Sequence, residues 1–142
     1  MRKLNLILLS GVLFMAACSK DKTADIISPP EVIDTSSANI KYQGMFTPTS
    51  GIVAHGYAKI ISSNQKLNLV LDSFYVSGGP DLKVYLSKSA SPQDFINLGA
   101  LRNQTTELTY PLMENIDFTV YTHVLIHCQQ YNHLFAIARL LP

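Results

Sequence analysis

The sequence predicts an all-β protein, a small antiparallel β-sandwich or barrel with one short helical turn. Three observations carry that expectation. Apolar and polar residues alternate in short runs, the runs recur at about ten-residue spacing, and Gly, Pro, Asp and Ser cluster between them. The chain has 142 residues, room for one domain rather than two.

The runs are taken in chain order. Over residues 51–61, GIVAHGYAKII, a strand puts Ile52, Ala54, Ala58 and Ile60 on one face and His55, Tyr57 and Lys59 on the other. Leu67, Leu69 and Leu71 alternate with Asn68 and Val70, and the phase then shifts at Asp72-Ser73 to Phe74 and Val76. A shift inside one apolar pattern predicts a bulge or bend. Gly78-Gly79-Pro80-Asp81 reads as a structural turn, with Gly supplying positive φ, Pro fixing φ and Asp81 bonding nearby backbone. Leu82, Val84 and Leu86 follow, alternating with Lys83, Tyr85 and Ser87, so the strands on either side of that turn are expected to form a hairpin. Residues 91–97, SPQDFIN, predict the helical turn, with Pro92 at its first position after Ser91. Residues 107–112, 122–128 and 134–140 supply three further strands, and no internal repeat is visible.

The N-terminus has a different character. Arg2 and Lys3 precede an apolar run, LILLSGVLF, and small residues lead into Cys18. That order is the pattern of a secretory signal, and the run is shorter than the roughly 20 residues a spanning helix needs. Residues 1–17 are therefore expected to be cleaved. MAAC followed by SKDK resembles the lipobox of bacterial lipoproteins, which implies lipidation of Cys18 and a partner in the membrane itself; two acyl chains anchor stably where one does not. Ser19, with no Asp at that position, fits sorting to the outer membrane, facing periplasm or cell surface. Residues 18–40, rich in Ser, Asp, Lys and Pro, form the lipidated cysteine and a flexible tether, and residues 41–142 form the β-domain.

Removing the signal takes Arg2 and Lys3 from eleven basic residues, leaving nine against ten acidic and a net charge of about −1. Such a balance points away from nucleic acid as a partner. It also leaves Cys128 without an intrachain partner once Cys18 is lipidated, in a compartment where unpaired cysteines are either buried and inert or reactive and meaningful.

Four segments resemble, in order and spacing, the DM13 domain: YQGMFTPTSGIVAHGYAKI, LVLDSFYVSGGPDLKVYLS, LGALRNQTTELTYPL and YTHVLIHCQQYNHLFAIARL. The likeness covers about residues 42–142. It implies a small extracytoplasmic β-domain of a family proposed to take part in electron transfer beside DOMON and cytochrome modules, with its single cysteine, here Cys128, as redox group. The family pattern often has an aromatic residue before that cysteine, where this chain has His127.

The stretch 127–133, HCQQYNH, concentrates the candidate chemistry. Strand parity sets Val124, Ile126 and Cys128 on one apolar face and His123, Leu125 and His127 on the other, so Cys128 is expected to point inward and His127 outward. Three readings of Cys128 stay open. It packs as a small hydrophobe, it exchanges as a thiolate with His133 folded back toward it, or it binds copper with His133 and His55 in a His₂Cys set. Asp72 and Asp81, nine residues apart, make a weak case for a cation. No nucleophile elbow, zincin helix or phosphate loop is present, so an enzyme is not expected. The two functional expectations are an accessory redox module acting on a protein partner, and a non-catalytic binding or adhesion module at the cell surface.

Overall fold

The computed structural model describes residues 39–102 and 107–142. The expected signal peptide, Cys18 and all but the last residues of the expected tether lie outside the described residues. The described chain contains β1 (Asn39–Pro48), β2 (Ala54–Ser63), β3 (Lys66–Val76), β4 (Leu82–Ser87), β5 (Phe95–Ala100), β6 (Leu108–Pro111), β7 (His123–Cys128) and β8 (His133–Arg139). They form one sheet in the order β5-β4-β7-β8-β1-β2-β3-β6, with every neighbouring pair antiparallel. The all-β expectation holds.

The inward faces follow the alternation in the sequence. Ala58 and Ile60 of β2, Leu69 and Leu71 of β3, Val84 and Leu86 of β4, and Val124, Ile126 and Cys128 of β7 share one core with Phe46, Phe74, Phe135 and Tyr110. Burying a large apolar side chain is worth about 1.5–3 kcal/mol, so this cluster supplies the main driving force. The phase shift at Asp72-Ser73 is a bulge. Tyr57 faces Asp72 and His55 faces Tyr75, so Ser73 and Phe74 stand opposite the single residue Gly56. Gly56 has φ +104, and a Cβ there would lie 2.6 Å from the Phe74 Cα and the Ser73 carbonyl oxygen, so the bulge is built against a residue without a side chain.

The sheet folds over on β1. Asn39 to Met45 pair with β2, whereas Phe46 to Pro48 pair with β8. A Cβ on Gly44 would collide with the carbonyl of Arg139 at the end of β8, so the two halves close on a glycine. The clamp continues on both sides. Gln43 and Leu141 exchange backbone hydrogen bonds of 2.8 Å, and the Thr49 hydroxyl donates to the Leu134 carbonyl at 2.6 Å.

At the other margin the edge strands β5 and β6 share no ladder. Tyr110 of β6 bridges them, its hydroxyl donating to the Ala100 carbonyl at 3.1 Å and accepting from the Arg102 amide at 3.4 Å. The Arg102 guanidinium lies over the same ring, 4.7 Å from its centroid, and donates to the Thr109 carbonyl. The eight strands thus make a nearly closed barrel.

Two local expectations are corrected. Residues 91–97 do not form a helical turn: a serine-rich turn runs directly into β5 at Phe95. Buried Ser87 directs its hydroxyl to the carbonyls of Ser91 and Asp94, and the Lys88 amide donates to Asp94 at 3.0 Å. Pairing with β4 places Ile96 and Leu98 against the core, and that burial outweighs the local helix-start signal. Nor do β3 and β4 form a hairpin. β3 lies between β2 and β6 and β4 between β5 and β7, so the turn at Gly78–Asp81 carries the chain from one half of the sheet to the other. Alternation fixes which way a strand faces but not which strand it joins.

Gly44→Ala is expected to lose about 3 kcal/mol of stability in urea unfolding, the upper part of the usual overpacking range, because the new methyl meets the Arg139 backbone. Tyr110→Phe is expected to lose about 1 kcal/mol, the worth of the hydroxyl bridge between the edges, with the fold unchanged by circular dichroism.

Candidate functional site

β7 lies in the middle of its half of the sheet, between β4 and β8, so both of its edges are hydrogen-bonded. Its burial is nearly continuous from Val124 to Cys128. Cys128 is completely buried and is the free cysteine among the described residues. The register sets Leu82 of β4 on one side of it and His133 of β8 on the other.

The QQYN segment is the tight turn that brings His133 back. Asn132 adopts φ 49 and its amide reaches the Gln129 carbonyl at 3.4 Å. His133 therefore stands directly across from Cys128 as the sequence allowed, with its ring edge-on to Phe135 at 5.4 Å and its own surface exposed. The glycine turn closes the same end of the sheet. A Cβ on Gly79 would lie 2.9 Å from both Leu82 and Phe135, and the Gln129 amide donates to the Asp81 carbonyl at 2.9 Å.

The turn itself works differently from expectation. Neither Gly78 nor Gly79 has positive φ; Gly79 serves close approach instead. The Asp81 carboxylate binds Lys83 at 2.7 Å rather than nearby backbone. Asp72 is likewise paired, with Lys59 at 2.5 Å, and that hydrogen bond holds its carboxyl below the ordinary range. The two carboxylates are each taken by a lysine, not joined around a cation.

His55 lies elsewhere, exposed on the outer face of β2 and stacked on Tyr75 at 5.3 Å. Among the described residues no group of three or more His, Cys, Asp or Glu side chains gathers closely enough to hold a metal ion. The structure thus brings Cys128 and His133 together and leaves His55 out.

His127 points away from Cys128, as parity requires, but not into solvent. It is only 5% exposed and stacks on Tyr85 at 5.4 Å, which in turn stacks on Phe95 at 3.9 Å. Neither ring nitrogen has a hydrogen-bond partner. Burial pushes the imidazole pKa down. Asn132 is near enough to pull it part of the way back without completing a hydrogen bond, and His133 adds a smaller push in the same direction as burial. Parity alone could not reveal this row of rings, because Phe95 belongs to the strand read as a helical turn.

The family model described as Electron transfer DM13 matches residues 47–140. The chain belongs to the DM13 family. The DM13 match spans β2 to β8 and contains Cys128, the Gly78–Asp81 turn and the Phe95–Tyr85–His127 row. No curated protein and no solved structure is similar enough to be matched to it.

Cys128→Ser is expected to keep the fold and lose about 1–3 kcal/mol in urea unfolding, because a hydroxyl replaces a thiol in apolar surroundings without a designed partner.

Proposed function

We propose that this DM13 chain is a membrane-anchored, extracytoplasmic electron-transfer module, not an enzyme, in which Cys128 exchanges with the thiol–disulfide couple of a protein partner. The observation that carries it is the family match, whose electron-transfer description covers a domain with one free cysteine among its described residues. The lipobox-like MAAC at Cys18 supports anchorage to a bacterial outer membrane through lipid.

In the exchange, Cys128 loses its proton to solvent and its thiolate attacks one sulfur of a partner disulfide. A mixed disulfide forms and the partner's other sulfur leaves as thiolate. A completely buried sulfur cannot meet a partner disulfide in place, so the reaction needs the strand end to open at the Gly79 turn and the Gln129–Asp81 hydrogen bond.

That same burial favours a second reading, a binding module in which Cys128 only packs. Its surface would be the outer face of β1 to β3, where Met45 stands opposite Tyr57, beside the exposed pair His55 and Tyr75.

Labelling at neutral pH separates the two. In the native chain carrying Cys18→Ser, the electron-transfer reading expects Cys128 to react with a small disulfide probe without denaturant. Complete protection until the chain unfolds would overturn it and leave the binding reading.

A further inference from the structure

We propose that His123 and His127 make β7 an acid-sensitive seam, whose protonation loosens the pairing of that strand with β4 and β8. Both imidazoles lie on the outer face of one strand, with completely buried Leu125 between them. The register sets His123 directly across from Arg139 of β8, and His127 across from Lys83 of β4, whose ammonium is paired with Asp81. Like charges directly opposite each other in an antiparallel pair are destabilising.

The surroundings offer little to take up the new charge. His123 faces Ser87 of β4 and Arg139 of β8, with the Thr122 hydroxyl 2.9 Å from its Nδ1. His127 faces Lys83 and the Tyr85 ring on β4, Leu134 and His133 on β8, and Asn132 in the turn. Asp81, the carboxylate at this end of β4, is already bound by Lys83. Neither buried nitrogen of His127 has a hydrogen-bond partner, and Asn132 offsets only part of the cost of placing a proton there.

The direction of the pH effect follows. Burial lowers the pKa of both imidazoles, with Arg139 adding to the effect on His123 and His133 to that on His127. The unfolded chain then binds these protons more readily than the folded one. The stability is complete above the unfolded histidine value of about 6.5, falls as pH drops through it, and levels off only below the lower folded values. Asp72, held low by Lys59, loses its contribution only below about pH 4. Glu107, pushed up by burial, gains on acidification and so works against the seam.

Cys128, one residue beyond His127 and completely buried, is a reporter for the opening of β7 whether or not it has a redox role. In the full chain carrying Cys18→Ser it is the one thiol. Its labelling by a pyridyl disulfide is measured at about pH 7.5 and about pH 5 and divided at each pH by the rate in urea. The ratio is expected to rise about tenfold at the lower pH, and to stay flat when His123→Gln and His127→Phe are added. Phe keeps the stack on Tyr85 and gives up no hydrogen bond. An equal ratio at the two pH values, or the same rise in the doubly substituted chain, overturns the seam. Nuclear magnetic resonance titration of the unsubstituted imidazoles covers the case in which the double substitution does not fold. Both midpoints are expected below the ordinary histidine value, with amide protection in β7 falling as they titrate. Ordinary midpoints, or protection that does not change, overturn it equally.

Discussion

One strand, β1, belongs to both halves of the sheet, and the rest of the architecture depends on its change of partner between Met45 and Phe46. The change needs β8 to arrive over β1 at backbone distance, and Gly44 is the residue that lets the Arg139 carbonyl in. Once that corner is made, the inner faces of the two halves meet, and the core of Leu, Ile, Val and Phe side chains has a closed space to fill. The far margin follows from it. Because β5 and β6 come near each other without pairing, a side chain, Tyr110, bridges what backbone ladders do elsewhere.

The position of β7 inside this arrangement decides the chemistry of its residues. On β7 the side chains of neighbouring strands cover part of the outward set, Tyr85 stacking on His127, so Leu125 is completely buried and His127 nearly so. The burial acts on both candidate groups. It withdraws the Cys128 sulfur from solvent, and it pushes down the pKa of His127, neither of whose ring nitrogens is hydrogen-bonded. A thiol and an imidazole adjacent in sequence are thus separated by the sheet itself, while Cys128 and His133, five residues apart, are joined by it.

The faces of β2, β3, β4 and β7 were legible because alternation is a local property of an extended chain, and so was the bulge, as a broken phase at Asp72-Ser73. β1 was hidden for a physical reason. Its inward positions Tyr42, Gly44 and Phe46 carry no continuous apolar signal, since the middle one is kept empty for Arg139. β5 was hidden because Ser91-Pro92 imitates a helix start, and the burial of Ile96 and Leu98 that overrides it exists only after β4 is in place.

By itself, then, the sequence determined an all-β domain, the family it belongs to and the inward direction of Cys128, because strand alternation and the order of motifs are written along the chain, and it left the return of His133 as one of several open readings. The tertiary structure alone decided that the Gly78–Asp81 turn crosses between halves instead of closing a hairpin, that His55 stands apart from Cys128 and His133, and that His127 is buried in a row with Tyr85 and Phe95. Those outcomes depend on which strands become neighbours, and neighbourhood is set by the closing of the whole sheet around its core, not by the pattern within any one strand.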